Sequence, residues 1–328
     1  MTIQITIIGL GQIGASVGLA LAGKGDSLVR VGHDRKFDIA QQAKKMGAVD
    51  QTEINLPNSV RNADLILLSL PIDQIRETME IIAQDLREGA VVMDTGPIKE
   101  AVATWAVETL PPGRYYVGLT PVLNPIYLHS VESGLQAARP DLFQGGLMAI
   151  VATAAAHAEA VKLASDLTHL LGATPFFVDP AEMDGLMAAT HYLPQFLSAA
   201  LLNATVDQPG WREARKVAGR AYAEATAPIV HLDQIQALTT SAMLNHDSVL
   251  RVLDSAIAAL QNIREDISVQ DSDALNERLN HARQAREKWW KERQAGDWLS
   301  VEGVTVEVPS VSGAFSRMLG LGKKPKTK

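Results

Sequence analysis

Residues 3–14 read IQITIIGLGQIG, and the fold follows from how this stretch divides. Ile3–Ile8 is dominated by β-branched residues, the composition of a short strand buried on both faces. It runs into Gly9-Leu10-Gly11-Gln12-Ile13-Gly14, after which ASVGLALAGKG (15–25) reads as a helix ending at Gly25. A strand that passes through three spaced glycines into a helix presents backbone N–H groups at a helix N-terminus, where a phosphate binds readily. Gly9 permits the tight turn, Gly11 lets a pyrophosphate approach the backbone, and Gly14 lets helix and strand pack closely. A second strand, 27–32, leads to His33-Asp34-Arg35, and Asp34 lies 20 residues after Gly14. At that spacing an acid accepts hydrogen bonds from the ribose hydroxyls of a dinucleotide. The charge of Asp34 opposes a 2′-phosphate and favours NAD. Arg35 and Lys36 would pair with that phosphate if Asp34 turned away, so NADP remains an alternative.

Outward from this unit, apolar runs and helical periods alternate. Helices are expected at 37–47, 72–87, 98–109 and 157–171, and strands at 63–71, 90–96, 115–119, 148–153 and 174–178. The alternation predicts an α/β fold, a Rossmann-type dinucleotide-binding domain whose parallel sheet carries helices on both faces. Gln12 and Ile13 in the glycine turn, and Leu70 and Pro71 at the end of the 63–71 strand, complete the expected nucleotide contacts. Segment 120–140 holds three prolines and no period, and reads as a functional loop over the carboxyl edge of the sheet. At Asp179-Pro180-Ala181-Glu182 the pattern changes. An Asp N-cap, Pro at the first helical position and Glu at the third open an all-helical stretch to about residue 295. Breaks are expected near 207–210, Pro228, 245–247 and 268–273. The expected organisation is 1–178 dinucleotide-binding, 179–295 all-α substrate and dimerisation domain, and 296–328 a tail.

Composition limits the function. The chain has 328 residues, 47% hydrophobic and 20% charged, which suits a two-domain globular protein. A net charge of −7 speaks against a nucleic-acid binder, and the absence of cysteine excludes thiolate zinc sites and a cysteine nucleophile. No apolar run reaches the roughly 18 residues of a membrane span. The N-terminus lacks the charge and cleavage pattern of a leader, so the chain reads as cytoplasmic. With no H-E-x-x-H and no close ligand cluster, no metal is expected. The charged run 277–293 reads as a solvated helix face whose Trp289 and Trp290 pack on a partner. The end, FSRMLGLGKKPKTK, carries five basic residues and no acid, and reads as a frayed terminus.

In order along the chain, GLGQIGASVGLAL (9–21), GHD (32–34), ADLILLSLP (63–71), DTGPIK (94–99), YVGLTP (116–121), DLF (141–143) and LPQ (193–195) resemble the prephenate/arogenate dehydrogenase family. The resemblance covers about residues 3–265. It implies a homodimer through the helical domain and NAD(P)-dependent oxidative decarboxylation of prephenate or arogenate in tyrosine biosynthesis. The departures fall on the substrate side. The family's G-S-x-K is Gly96-Pro97-Ile98-Lys99 here, its G-G-H-P is Gly118-Leu119-Thr120-Pro121, and its L-P-H is Leu193-Pro194-Gln195. A downstream arginine that pairs with a substrate carboxylate falls near Ala227. Threonine cannot accept a proton near neutral pH as imidazole can.

The expected catalytic set is therefore His191, Lys99, Thr120 and Gln195. His191 lies one turn before Gln195, on the same face of one helix, and would replace the missing base. Lys99 at a helix start would bind an anionic substrate. Asn124 and His129 in the 120–140 loop are secondary candidates. The bland readings are a surface histidine, a surface lysine and turn residues. The function expected is hydride transfer between a nicotinamide and a small anionic substrate in the interdomain cleft. A genuine prephenate dehydrogenase with relocated groups, and a dinucleotide sensor without turnover, are the alternatives.

Overall fold

The computed structural model describes residues 2–25, 27–153, 156–230 and 235–296. In chain order its elements begin β1 (Ile3–Ile8), α1 (Gln12–Ala20), β2 (Leu28–His33), α2 (Phe37–Lys45), β3 (Gln51–Thr52), α3 (Leu56–Val60), β4 (Leu65–Leu68) and α4 (Ile72–Ile82). They continue β5 (Val91–Asp94), α5 (Glu100–Thr109), β6 (Tyr115–Val122), β7 (Leu147–Val151), α6 (Ala158–Leu170) and β8 (Thr174–Val178). Then follow α7 (Pro180–Met187), α8 (Leu193–Thr205), α9 (Trp211–Val217), α10 (Arg220–Val230), α11 (Ile235–Leu244), α12 (His246–Ser268) and α13 (Ser272–Ala295). The tail and its strand-like piece at 303–308 lie outside the described residues.

The eight strands of the described residues form one sheet in the order β3-β2-β1-β4-β5-β6-β7-β8. This is a Rossmann arrangement, with the chain reversing direction across the sheet between β1 and β4, where such folds bind their ligands. The central strands are apolar on both faces: every residue of β4 and β5 is buried. Ile5, Ile7, Leu65, Leu67, Met93, Val117 and Leu119 join one core with Leu10, Val17, Phe143 and Leu167.

The sheet is not wholly parallel. β7 runs antiparallel to β6, with Thr120 opposite Ala149. A parallel return needs a crossover, usually a helix, and residues 123–146 hold only short 3-10 turns interrupted by prolines. The chain folds straight back instead. That segment lies against α1, where the Gln12 amide donates to the Ala137 carbonyl at 3.5 Å and the Ser16 hydroxyl accepts from the Arg139 N–H at 2.9 Å. The first helix also starts earlier than its sequence suggests, at Gln12, because the glycine turn is already its first turn. Strand β3 and helix α3, too short to show a period, are additional to the sequence reading.

Beyond β8 the described structure is helical. The Asp179 side chain caps α7 by accepting from the Glu182 N–H at 2.9 Å. Pro228 lies inside α10 rather than at a break; with no N–H it forgoes only the bond to the Glu224 carbonyl. The described residues form two compact units, one to Asn245 and one from His246 onward, the second an α12–α13 hairpin. Among the described residues no helix is long and apolar enough to cross a membrane.

Candidate active site

The glycine turn has the shape its sequence demands. Gly9 has φ +91°, and a Cβ there would stand 2.3 Å from the Ser69 carbonyl oxygen. At Gly14 a Cβ would stand 2.0 Å from the Gly9 oxygen, so α1 rests directly on the turn. Gly11 differs: nothing lies within 4 Å of its Cβ position. Gly11 is itself the N-cap of α1, so the space beside it is open and no cap side chain takes up the first N–H groups. These residues fit a dinucleotide pyrophosphate, because glycine is required here by a visitor rather than by the fold.

Asp34 is fixed in place. One carboxylate oxygen accepts from the Leu10 N–H at 2.9 Å and the other from the Lys36 N–H at 2.9 Å. Turning it away, as a 2′-phosphate would need, breaks two charge-assisted bonds. Arg35 and Lys36 are exposed beside it. Ile13, Leu70 and Pro71 are half-buried around the turn, and Leu70 Cδ2 approaches the Gly9 Cβ position at 2.9 Å.

On the substrate side, Lys99 is neither a surface lysine nor a free anion binder. It is fully buried, and Nζ lies 2.7 Å from Asp94 Oδ1. Asp94, equally buried, also accepts from the Tyr116 hydroxyl at 2.5 Å and from the Gly96 N–H at 2.8 Å. Burial pushes the Lys99 pKa down against the pull of Asp94. Burial, reinforced by the Asp94 charge, raises that of Tyr116. Gly118 admits the lysine stem, since a Cβ there would stand 2.8 Å from Lys99 Cδ. Thr120 is buried and donates to the Gly96 carbonyl at 3.2 Å. Its only proton is thus used to hold the turn that carries Pro97. Asp94, Tyr116 and Asp184 are the members of this cluster that sequence reasoning missed. Asp94 was visible as the acid of DTGPIK. Asp184, 85 residues from Lys99, carried no local signal.

The structure separates His191 from Gln195 in exposure. Residues Ala188–Tyr192 form a π-turn between α7 and α8. The cause is Pro194, which has no N–H for the Thr190 carbonyl, so the turn widens there. His191 and Gln195 remain one turn apart, with one side chain exposed and the other buried. His191 is exposed, yet enough protein crowds its ring for desolvation to hold its pKa below the ordinary 6.5. Gln195 is buried, its amide donates to the His191 carbonyl at 2.9 Å, and its Oε1 has no hydrogen-bond partner among the described residues. Asn124 proves to be a turn residue, accepting from the Ile126 N–H at 3.2 Å and donating to the Asp141 carbonyl at 3.3 Å. His129 is exposed, and Ala227 is half-buried on α10. Among the described residues no cluster of three or more His, Cys, Asp or Glu is placed to hold a metal ion.

With this geometry in view, the comparisons decide the family. The nucleotide-binding domain of prephenate dehydrogenase matches residues 17–176, and the dimerization domain of the same family matches 179–281. The chain belongs to the prephenate/arogenate dehydrogenase family. It is similar to the prephenate dehydrogenase of Bacillus subtilis, 24% identical over 332 residues, covering 97% of this chain and 84% of the relative. It is also similar to the cyclohexadienyl dehydrogenase of Zymomonas mobilis, 24% identical over 285 residues, covering 86% and 94%. In fold it resembles the Aquifex aeolicus prephenate dehydrogenase in complex with hydroxyphenyl propionate and NAD+ (TM-score 0.79, 19% identity, 88% of this chain and 98% of that one). The Synechocystis arogenate dehydrogenase gives a TM-score of 0.71 at 23% identity, covering 88% and 100%.

Gly11→Val should abolish dinucleotide binding while changing stability by no more than about 1 kcal/mol, the scale of an altered N-cap. Gly14→Ala should instead destabilise by roughly 1–3 kcal/mol through overpacking against Gly9. Titration calorimetry and denaturant unfolding separate the two. Lys99→Met, which strands the buried Asp94 charge, should cost about 3–5 kcal/mol in the same unfolding assay.

Proposed function

We propose that the protein oxidises a small anionic substrate by hydride transfer to NAD at the carboxyl ends of β1, β4, β5 and β6. The observation that carries this reading is the pairing of an open Gly11 with an Asp34 carboxylate locked by two backbone N–H groups. NAD, when bound, supplies the hydride acceptor. The chain's own residues hold and exclude: Gly9–Gly14 present N–H groups to phosphate, and Asp34 accepts from ribose hydroxyls and repels a 2′-phosphate. Thr120 holds the Gly96–Pro97 turn and has no role as a base. The buried Gln195 Oε1 is an acceptor awaiting a donor, as a hydroxylated substrate would provide.

His191 is the proton acceptor in this reading. Its lowered pKa keeps the imidazole neutral at pH 7, the form a base requires. We infer that prephenate itself is turned over weakly, because Thr120, Pro97, Gln195 and Ala227 stand where relatives of this family carry working groups. The second reading is a full prephenate or arogenate dehydrogenase with relocated groups; the similarity to the Bacillus subtilis enzyme along 97% of the chain favours it. A homodimer through the helices of 179–281 accompanies either reading, in keeping with the dimerization domain matched there. Steady-state assay with prephenate and L-arogenate decides between the readings: turnover on the order of 10 s⁻¹ with either supports the second and sinks the first.

Asp34→Ala should weaken NAD binding by a larger factor than NADP binding; equal factors in a fluorescence titration would remove the role assigned to Asp34. His191→Ala should lower kcat on the true substrate by about 10²–10⁴ with NAD affinity unchanged. In the wild type kcat/KM should fall with decreasing pH only below about 6.5, as the imidazole protonates. The variant should lose that limb.

A further inference from the structure

Helix α5 begins beside the site without a cap of its own: its N-cap residue, Lys99, offers no side-chain bond to the first N–H groups. The first N–H groups of a helix have no intrahelical partner, and burying them unsatisfied is costly. Here they are satisfied from another element. Asp184 on α7 accepts from the Lys99 N–H with Oδ1 at 2.7 Å and from the Glu100 N–H with Oδ2 at 3.1 Å. Asp184 is itself only 2% exposed, and the Asn245 amide donates to its carbonyl at 2.8 Å. One carboxylate thus joins the first helix after the sheet to the turn Thr95–Lys99, and Asn245 braces that helix from behind.

We propose that Asp184 is a positioning residue: through the Lys99 and Glu100 amides it sets the Thr95–Lys99 turn against the strand ends where the substrate is oxidised. The assignment rests on the reading of those strand ends as the reaction site. Asp184 touches no reacting atom in it. It acts through Lys99, whose ammonium sits on Asp94, and through Gly96, whose carbonyl receives Thr120. If the Asp184 bond is lost, the turn is free to shift while the glycine cradle is untouched.

The electrostatics give this role a signature. Lys99 and Glu100 from α5, Tyr116 from β6 with Asp94 behind it, and Tyr192 from the π-turn are the ionisable groups around Asp184. Burial raises its pKa to about 6, against the lowering effect of the two backbone N–H groups and the Lys99 charge. A carboxyl whose pKa is raised when enclosed favours the enclosed state in its protonated form. The contribution is complete below the ordinary aspartate value of about 3.9 and is lost as pH rises through about 6. Enclosure of the Asp184 side chain is therefore favoured more at pH 5 than at pH 7.5, although the two N–H bonds taken alone favour the ionised carboxylate.

Amide hydrogen exchange at Lys99 and Glu100, corrected for intrinsic rates, tests this directly on the full chain. In the wild type protection should rise about tenfold from pH 7.5 to pH 5. Asp184→Ala should speed exchange at pH 7.5 by about tenfold, the order expected for a removed helix cap. Asp184→Asn, which keeps one of the two acceptors without titrating, should retain protection at one of the two amides and lose its pH dependence. NAD affinity should stay within about twofold in both variants, because the cradle is separate. With whichever of prephenate or L-arogenate is oxidised, Asp184→Ala should lower kcat and leave KM for NAD unchanged, and Asp184→Asn should restore most of it. Unchanged exchange at these two amides in Asp184→Ala, or pH-dependent protection that survives in Asp184→Asn, overturns the assignment. If the wild type oxidises neither substrate, the proposed reaction with them fails, and the exchange result still decides the role of Asp184.

Discussion

The buried carboxylate of Asp94 is the constraint on which the substrate side depends. A fully buried charge at the end of a central strand must be compensated on the spot. Lys99, Tyr116 and the Gly96 N–H supply the compensation, and each fixes something else. Lys99 draws the start of α5 over β5, Tyr116 locks β6 to β5, and Gly96 closes the turn between them. Gly118 lacks a side chain because the lysine stem passes where a Cβ would stand. Such a cluster adds little net stability compared with an apolar equivalent, since desolvation offsets the attraction. It does make one arrangement of the turn far better than others.

Those bonds also redefine the residues the sequence singled out. Lys99 read as an anion-binding cation; its ammonium is already committed. Thr120 stands in a histidine's place in the family pattern, and its hydroxyl is spent on a carbonyl. On the strand ends, Lys99 and Thr120 are thus both occupied by bonds within the fold. In the helical part, burial lowers the His191 pKa, and Gln195 Oε1 has no hydrogen-bond partner among the described residues.

How much was legible in the sequence depends on range. The glycine turn and Asp34 were legible because their geometry is local: a strand, a turn and a helix within a few dozen residues fix one another. The Asp179 cap was legible for the same reason, since it acts within one helical turn. The reversal of β7 was not, because strand direction depends on what connects the strands, and a proline-rich loop shows no period. The π-turn at Ala188–Tyr192 was not legible either, because the widening depends on which backbone bonds form ahead of Pro194. Asp184 was invisible because its partners lie 84 and 85 residues away.

The central claim is that this chain holds NAD against the Gly9–Gly14 turn with Asp34 on the adenosine ribose. A crystal structure of the NAD complex tests it most directly. The account predicts the pyrophosphate against the N–H groups at the start of α1, beside Gly11, and both ribose hydroxyls within about 3 Å of the Asp34 carboxylate. A dinucleotide bound elsewhere, or a ribose turned away from Asp34, would contradict it.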